Sequence, residues 1–372
     1  MANRKESITI HVSEKDKKTV LLKVVYLKVG EVDTVKEQFI ADICLRARWR
    51  EPALDGVKSN SHVDFKKYWN PKIHVSNLIG ESQQSIWTEL GLVPSGEAYI
   101  VEKRRISGTF GERMELQDFP FDFQDLSIIV CTELPETVAE LVEDDYEVSI
   151  VNVQCFVDEQ EWKLHDFVDS EKREVSKDFT DVKFRNPGLI MRTVAERRAG
   201  FFIWNILVIM MLISTLSFTT FAVDTALPQN RLQLSFIITL TSVTFRFVTN
   251  QSLPKIPYLT NLDKYILGSM IFNWLVTIWH GVVSRFAYSR NLETMLDWWA
   301  FMSFVILYGT LQAYFFLMVL IKYLMRRNMV KDREALYLER AQKVMGLTWK
   351  SSKASLTSRR NKRKIAASNG KI

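Results

Sequence analysis

The hydrophobic pattern of the chain changes character once, near residue 198. Before that point, β-branched and partly alternating runs occupy residues 20–27, 39–49, 126–130 and 148–153. Turn-like pieces such as residues 51–56 separate them, and alternation of this kind predicts strands. Short strands at this spacing predict a β-sandwich. Beyond residue 198, apolar stretches follow one another at residues 201–223, 232–248, 265–283 and 298–321. The first has no charge and is about the 20 residues that cross a bilayer core. The second carries Arg246 and many hydroxyls. Trp298 and Trp299 read as interfacial anchors, with Arg326 and Arg327 beyond the last stretch, so the series predicts a membrane bundle. Residues 331–346 place Glu, Leu, Arg and Ala at helical spacing, and residues 351–372 are basic, Ser-rich and predicted to be disordered. The expected fold class is therefore β plus α-membrane. A β-sandwich spans residues 1–197, a four-helix transmembrane domain 198–325, and a basic C-terminal helix and tail 326–372.

Composition adds little until it is divided. The 372 residues are 47% hydrophobic and 25% charged, as in an ordinary soluble protein, but the charges nearly vanish across residues 199–324. The net charge of +6 is concentrated in residues 322–371. Cys44, Cys131 and Cys155 make neither a disulfide framework nor a metal motif. The first 18 residues have no apolar core, so no secretory signal peptide is expected there. No cofactor or metal is expected, and no motif supports a membrane-embedded enzyme. Two readings stand for the acidic run at residues 143–147 with 158–161, a calcium site or a solvated loop. Two also stand for the basic run at 359–364, an anionic-lipid or nucleic-acid patch or a solvated tail, and no nucleic-acid partner is expected. His280 lies inside a span, either as a proton sensor or as a neutral histidine bonded to a neighbouring helix.

Several segments, in order, carry a resemblance. Leu116-Gln-Asp-Phe-Pro-Phe-Asp-Phe-Gln-Asp resembles the Phe-Pro-x-Asp loop of the pentameric ligand-gated (Cys-loop) channels. Arg197-Arg198 precedes a span closing in Leu216-Ser-Phe-Thr-Thr-Phe, and Ser252-Leu-Pro-Lys-Ile-Pro-Tyr-Leu-Thr is similar to the connector between that family's second and third helices. Leu45-Arg-Ala-Arg-Trp-Arg-Glu-Pro and Trp69-Asn-Pro match its strand signatures, so the resemblance covers roughly residues 20–325. The cysteines that close the signature loop in animal receptors would fall at Glu112 and Leu126, which implies the cysteine-free branch. The aromatic box for amine ligands would fall at Cys44, Ser76 and Glu133, with Phe179 in the capping loop, so cation–π recognition of an amine is not expected.

The resemblance implies a pentamer of identical or related subunits in the cell membrane. A small ligand or protons acting on the β-domain would open an ion pore lined by the second helix. The alternative is a non-conducting modulatory subunit or receptor-like scaffold. Anchoring the second span to the family puts Gln233, Ile237, Leu240, Thr244, Phe247 and Gln251 on the pore axis, one stripe at about 100° per residue. A second stripe, Ser235, Thr239, Ser242, Arg246 and Thr249, lies opposite and is more polar; periodicity alone favours it for the lumen. Asn230 and Arg231 fall at the selectivity mouth and match neither the cation nor the anion pattern. For coupling, the resemblance implies contacts among residues 33–36, Phe119, Pro120, Asp122, Arg198, Pro254 and Lys255, with Asp122 and Arg198 as the charge pair. It also implies a β-domain outside the cell. Arg192, Arg197, Arg198, Lys322, Arg326 and Arg327, against Arg231, Arg285 and Arg290, would by the positive-inside rule put both termini in the cytosol.

Overall fold

The computed structural model describes residues 17–57, 63–93, 96–173, 187–250, 256–283 and 290–346. Two sheets form the N-terminal half. The first runs β4 (Leu78–Leu92), β5 (Ala98–Gly111), β2 (Gln38–Arg50), β1 (Lys18–Asp33) and β7 (Ala139–Glu143), with β8 (Ile150–Val151) also on β1. The second runs β10 (Asp169–Lys172), β11 (Gly188–Arg197), β6 (Phe123–Thr132) and β3 (Ile73–Val75), with β9 (Trp162–Leu164) on β11.

Alternation explains how these strands meet. Val20, Leu22, Val24 and Tyr26 of β1 are buried while their neighbours are partly exposed, the period of two that lines one face of a sheet. Phe39, Ala41, Ile43, Leu45, Ala47 and Trp49 of β2 do the same. Leu126, Ile128, Val130, Leu189 and Met191 close the core from the second sheet. Tyr26 pins the sheets together: its hydroxyl lies 2.8 Å from the carbonyl oxygens of both Leu126 and Met191. One expected strand is mostly absent. Residues 148–153 pair only at Ile150 and Val151, because Asn152 accepts the Gln154 N–H and starts a 3₁₀ turn at Val153–Cys155.

Four helices follow, each long and apolar enough to cross a membrane: α1 (Gly200–Ala222), α2 (Pro228–Asn250), α3 (Asn261–Val283) and α4 (Arg290–Met345). The α1 helix is irregular. It has a π-helical turn at Ile203–Leu207 and a 3₁₀ end at Ser217–Ala222, where the Ser217 and Thr220 hydroxyls bond back to carbonyls three residues earlier. The expected helix at residues 331–346 is continuous with the fourth span. At about 1.5 Å per residue the 56-residue α4 is about 80 Å long, well beyond a hydrocarbon core of about 30 Å. Its surplus rises along the β-domain and stops at Gly346, whose φ of 77° suits a helix end. The tail expected at 351–372 lies outside the described residues.

Removing the Tyr26 hydroxyl leaves two buried carbonyls without that donor. Tyr26→Phe is expected to cost about 1–3 kcal/mol, read as a lower unfolding midpoint of the purified chain in detergent.

Candidate pore helix and interlayer joint

The loop between β5 and β6 plugs into the top of the bundle. Phe119 is buried against Phe202 of α1, ring centroids 4.6 Å apart, within a cluster that includes Leu116, Ile206, Met210, Leu262 and Tyr265. Leu116 donates its N–H to the Tyr258 hydroxyl at 3.1 Å. The first residue of α3, Asn261, donates its backbone N–H to Gln117 O at 3.1 Å and its side-chain amide to Asp118 at 3.2 Å. Lys322 of α4 reaches the same carboxylate at 3.0 Å. One short loop therefore touches three of the helices.

The charge pair of this joint differs from the expected one. Asp122 pairs with Arg197, not with Arg198. The Arg197 Nε lies 2.7 Å and Nη2 3.2 Å from the two carboxylate oxygens, and both residues are buried, at 3% and 8% exposure. Strand parity is the cause. Leu189, Met191, Thr193, Ala195 and Arg197 face inward along β11, so its last inward position takes Asp122. The Arg197 guanidinium also lies 4.1 Å from the Trp162 ring and 4.9 Å from Phe119, and Asp122 accepts a further bond from Gln124 at 2.7 Å. Those contacts satisfy a pair whose desolvation would otherwise exceed its attraction. Arg198 is exposed and stands 3.9 Å from Glu159. The turn at residues 33–36 closes on itself, with Asp33 accepting the N–H groups of Val35 and Lys36. Pro254 and Lys255, which it was expected to meet, lie outside the described residues.

A second tie joins β11 to α4. Glu196 is within 3.4 Å of His165, 2.9 Å of Lys163 and 2.8 Å of the Tyr323 hydroxyl. The nearby His165 ring, followed by the hydrogen bonds from Lys163 and Tyr323, holds its carboxyl down at about 2, against the resistance of burial.

The α2 helix has two chemically distinct sides. Gln233, Ile237, Leu240, Thr244 and Phe247 are exposed along one face, and Gln251 lies outside the described residues. On the other face, Ser235, Ser242 and Thr249 are buried, and Thr239 and Arg246 half-buried. The polar stripe that periodicity favoured for a lumen is thus turned into the bundle. There Asn273 donates to the Ser242 hydroxyl at 2.8 Å, and Thr239 and Thr277 sit 3.3 Å apart. Hydroxyls in a helix bundle are used between helices when the neighbours offer partners.

The foot of α2 also differs from the expected arrangement. Asn230 is exposed, but Arg231 is 2% exposed and does not point into a mouth. Its two terminal nitrogens sit 2.9 and 2.8 Å from the Asp297 carboxylate of α4, and its Nε donates to Val223 O at 2.7 Å. Trp279 of α3 donates to Asp297 at 3.3 Å. Nearby, His280 Nε2 lies 2.7 Å from the Thr220 hydroxyl. That hydroxyl also lies 2.6 Å from Ser217 O. The contact ties this histidine to a neighbouring helix.

The residues aligned with a ligand box are not gathered within one protomer. Cys44 projects from β2 on the face away from the core, where its thiol is pushed up by desolvation. Ser76 and Glu133 lie at opposite ends of the β3–β6 pairing in the other sheet. Ser76 accepts from Arg173 at 3.2 Å, and Glu133 is 3.9 Å from Lys72. Phe179 lies outside the described residues. The acidic run at 143–147 is neither a metal cluster among the described residues nor a simple solvated loop. Asp144 is buried on Arg48 at 2.7 Å, Glu147 pairs with Lys23 and Arg46, and Glu143 and Asp145 pair with Arg340.

Sequence reasoning missed Arg197, Asn273, Asp297 and the α4 arginines. Two signals were available: the strand parity that sends Arg197 inward, and a lone Asp297 at the foot of a span in a chain with a lone Arg231 at the foot of another.

No family model matches the chain. Among curated proteins it is similar to the gamma-aminobutyric acid receptor subunit beta-4 of Gallus gallus, with 27% identity over 283 residues. The match takes in 73% of this chain and 56% of that protein, so the chain spans just over half the length of this curated relative. A β-sandwich followed by four long apolar helices, together with this similarity, makes the chain a multi-pass protein of the cell membrane and supports the Cys-loop channel superfamily.

Breaking the buried pair from one side leaves an unpaired charge. Arg197→Gln is expected to destabilise the purified chain by about 3–5 kcal/mol, whereas Arg198→Gln changes its unfolding midpoint little. The lowered Glu196 carboxyl gives a pH test. Its stabilisation is complete above the ordinary carboxylate range and is lost as pH falls from there toward about 2. Thermal unfolding followed down that range should show a steeper loss in the parent than in Glu196→Gln.

Proposed function

We propose that the chain is a subunit of a pentameric ligand-gated ion channel of the cysteine-free kind, with α2 lining the pore. The observation that carries this reading is the division of α2: its polar side is turned into the bundle, where Ser242 and Thr239 meet Asn273 and Thr277, while Gln233, Ile237, Leu240, Thr244 and Phe247 are left on the outside. A lone four-helix bundle encloses no water path. Ions cross hydrocarbon only through a lined lumen, and several copies presenting this stripe to a common axis supply one. In such an assembly Ile237 and Leu240 form apolar rings that close the pore by dewetting, with polar Gln233 and Thr244 on either side.

Arg231 is neutralised by Asp297, so the exposed Asn230 is left as the polar group at the inner mouth and the Arg231 charge does not set selectivity. Agonist binding in the β-domain, at positions including Cys44, Ser76, Glu133 and Phe179, then acts on the bundle through Phe119, Pro120 and Asp122. The binding surface lies between neighbouring copies, since Cys44 on one sheet and Ser76 and Glu133 at opposite ends of a pairing in the other do not converge within one. Gamma-aminobutyric acid, from the relative's name, and protons are the first stimuli to try.

The test is to express the chain alone and record current while varying pH and applied ligands, with reversal potentials to give ion selectivity. Replacing the apolar ring by Leu240→Thr is expected to give a standing current or activation at about tenfold weaker stimulus, because wetting of the closed pore then costs less. A chain that reaches the cell surface, yet conducts with neither Leu nor Thr at this position, would be a non-conducting subunit.

A further inference from the structure

The part of α4 above the membrane carries one coherent face. Val330, Arg333, Tyr337, Arg340, Ala341 and Val344 recur at helical spacing and all meet the β-domain. Tyr337 and Ala341 are buried with Val148, Phe167 and Val194, and the Tyr337 hydroxyl donates to Ser149 O at 2.8 Å. Arg333 bridges Asp125 of β6 and Asp169 of β10, each at 3.1 Å. Arg340 pairs with Glu143 and, at 3.2 Å, with Asp145. Two helix guanidiniums thus face four carboxylates on the domain. The match of charge and of apolar surface is specific to this face.

The helix is also built to transmit. From Arg290 to Met345 it has no proline and one glycine, Gly309, so it has no evident hinge. Lower down, the Tyr265 ring of α3 packs on Phe315 at 4.6 Å, and α3 holds α2 through Asn273 and Ser242. Tyr337 is 14 residues above Tyr323, about 20 Å further from the membrane, which gives the docked end leverage over the bundle.

We propose that residues 328–346 form a strap that clamps the β-domain to the membrane layer, and that docking of the strap sets the conformational equilibrium of α2. This rests on the channel reading for its consequence in current, but the coupling itself is independent of conduction. Undocking the strap frees one attachment between the layers; among the described residues the β11–α1 chain connection, the Phe119 loop and the Glu196–Tyr323 contact are others.

The test is hydrogen exchange on the full-length chain in lipid nanodiscs, comparing the parent with Ala341→Trp, which wedges the strap off, and with Arg340→Ala, which weakens it without adding bulk. Exchange at residues 143–151 should rise about tenfold or more in Ala341→Trp and less in Arg340→Ala. Exchange along α2, which does not touch the strap, should change in the same order, and the stimulus for half-activation should shift severalfold. Unchanged exchange at 143–151 in both variants would show that the strap is not docked. Altered exchange there with α2 unchanged would show that it is docked but does not couple. Either result overturns the proposal. A parent that never conducts overturns the channel reading alone, and the α2 exchange still decides this one.

Discussion

An arginine held at or within the edge of a bilayer must bring its counter-charge with it, and two such pairs bracket the membrane layer of this protein. At the β-domain side Arg197 meets Asp122, and at the far side Arg231 meets Asp297. Each joins segments distant in sequence: the end of a strand to a loop, and the foot of the second helix to the fourth. Neither pair is a strong source of net stability, since burial of charge offsets most of the attraction. What they provide is position. An unpaired member is costly enough that alternative arrangements of the layers are disfavoured.

Once the foot of α2 is fixed by Arg231, the rotation of the helix follows. Arg231 faces α4, and four residues on, Ser235 faces the same side; Ser242 and Thr249 continue it. The opposite side, with Ile237, Leu240 and Phe247, has nothing within the protomer to cover it. The loop that touches α1, α3 and α4 at the top, and the strap that follows α4 upward, hold the β-domain over this bundle at points well separated along the molecule.

Much of this was legible in the sequence, and the failures share a cause. The alternating runs at residues 20–27 and 39–49 and the apolar stretches after residue 198 are local patterns, and they correspond to β1, β2 and the four long helices. Helical spacing at 331–346 was equally local and is present. By contrast, the partner of Asp122 depended on which of two adjacent arginines β11 turns inward, a matter of one-residue parity. The role of Arg231 depended on an aspartate 66 residues away. The polar stripe of α2 misled periodicity because the sequence does not say what stands beside a helix. Asn273 and Thr277 meet the Ser242 and Thr239 hydroxyls, and only packing reveals it. The acidic run at 143–147 looked solvated for the same reason, its arginines coming from β2 and α4.

The central claim is that water reaches one face of α2 and not the other. Cysteine substitution along that helix, in a background with Cys44, Cys131 and Cys155 replaced, followed by a membrane-impermeant thiol reagent applied to the assembled protein in bilayers, tests it most directly. Labelling is expected at Gln233, Ile237, Leu240 and Thr244, with protection at Ser235, Thr239 and Ser242. Labelling of the second set with protection of the first, or labelling of neither while lipid-dissolved reagents reach Ile237 and Leu240, would contradict it.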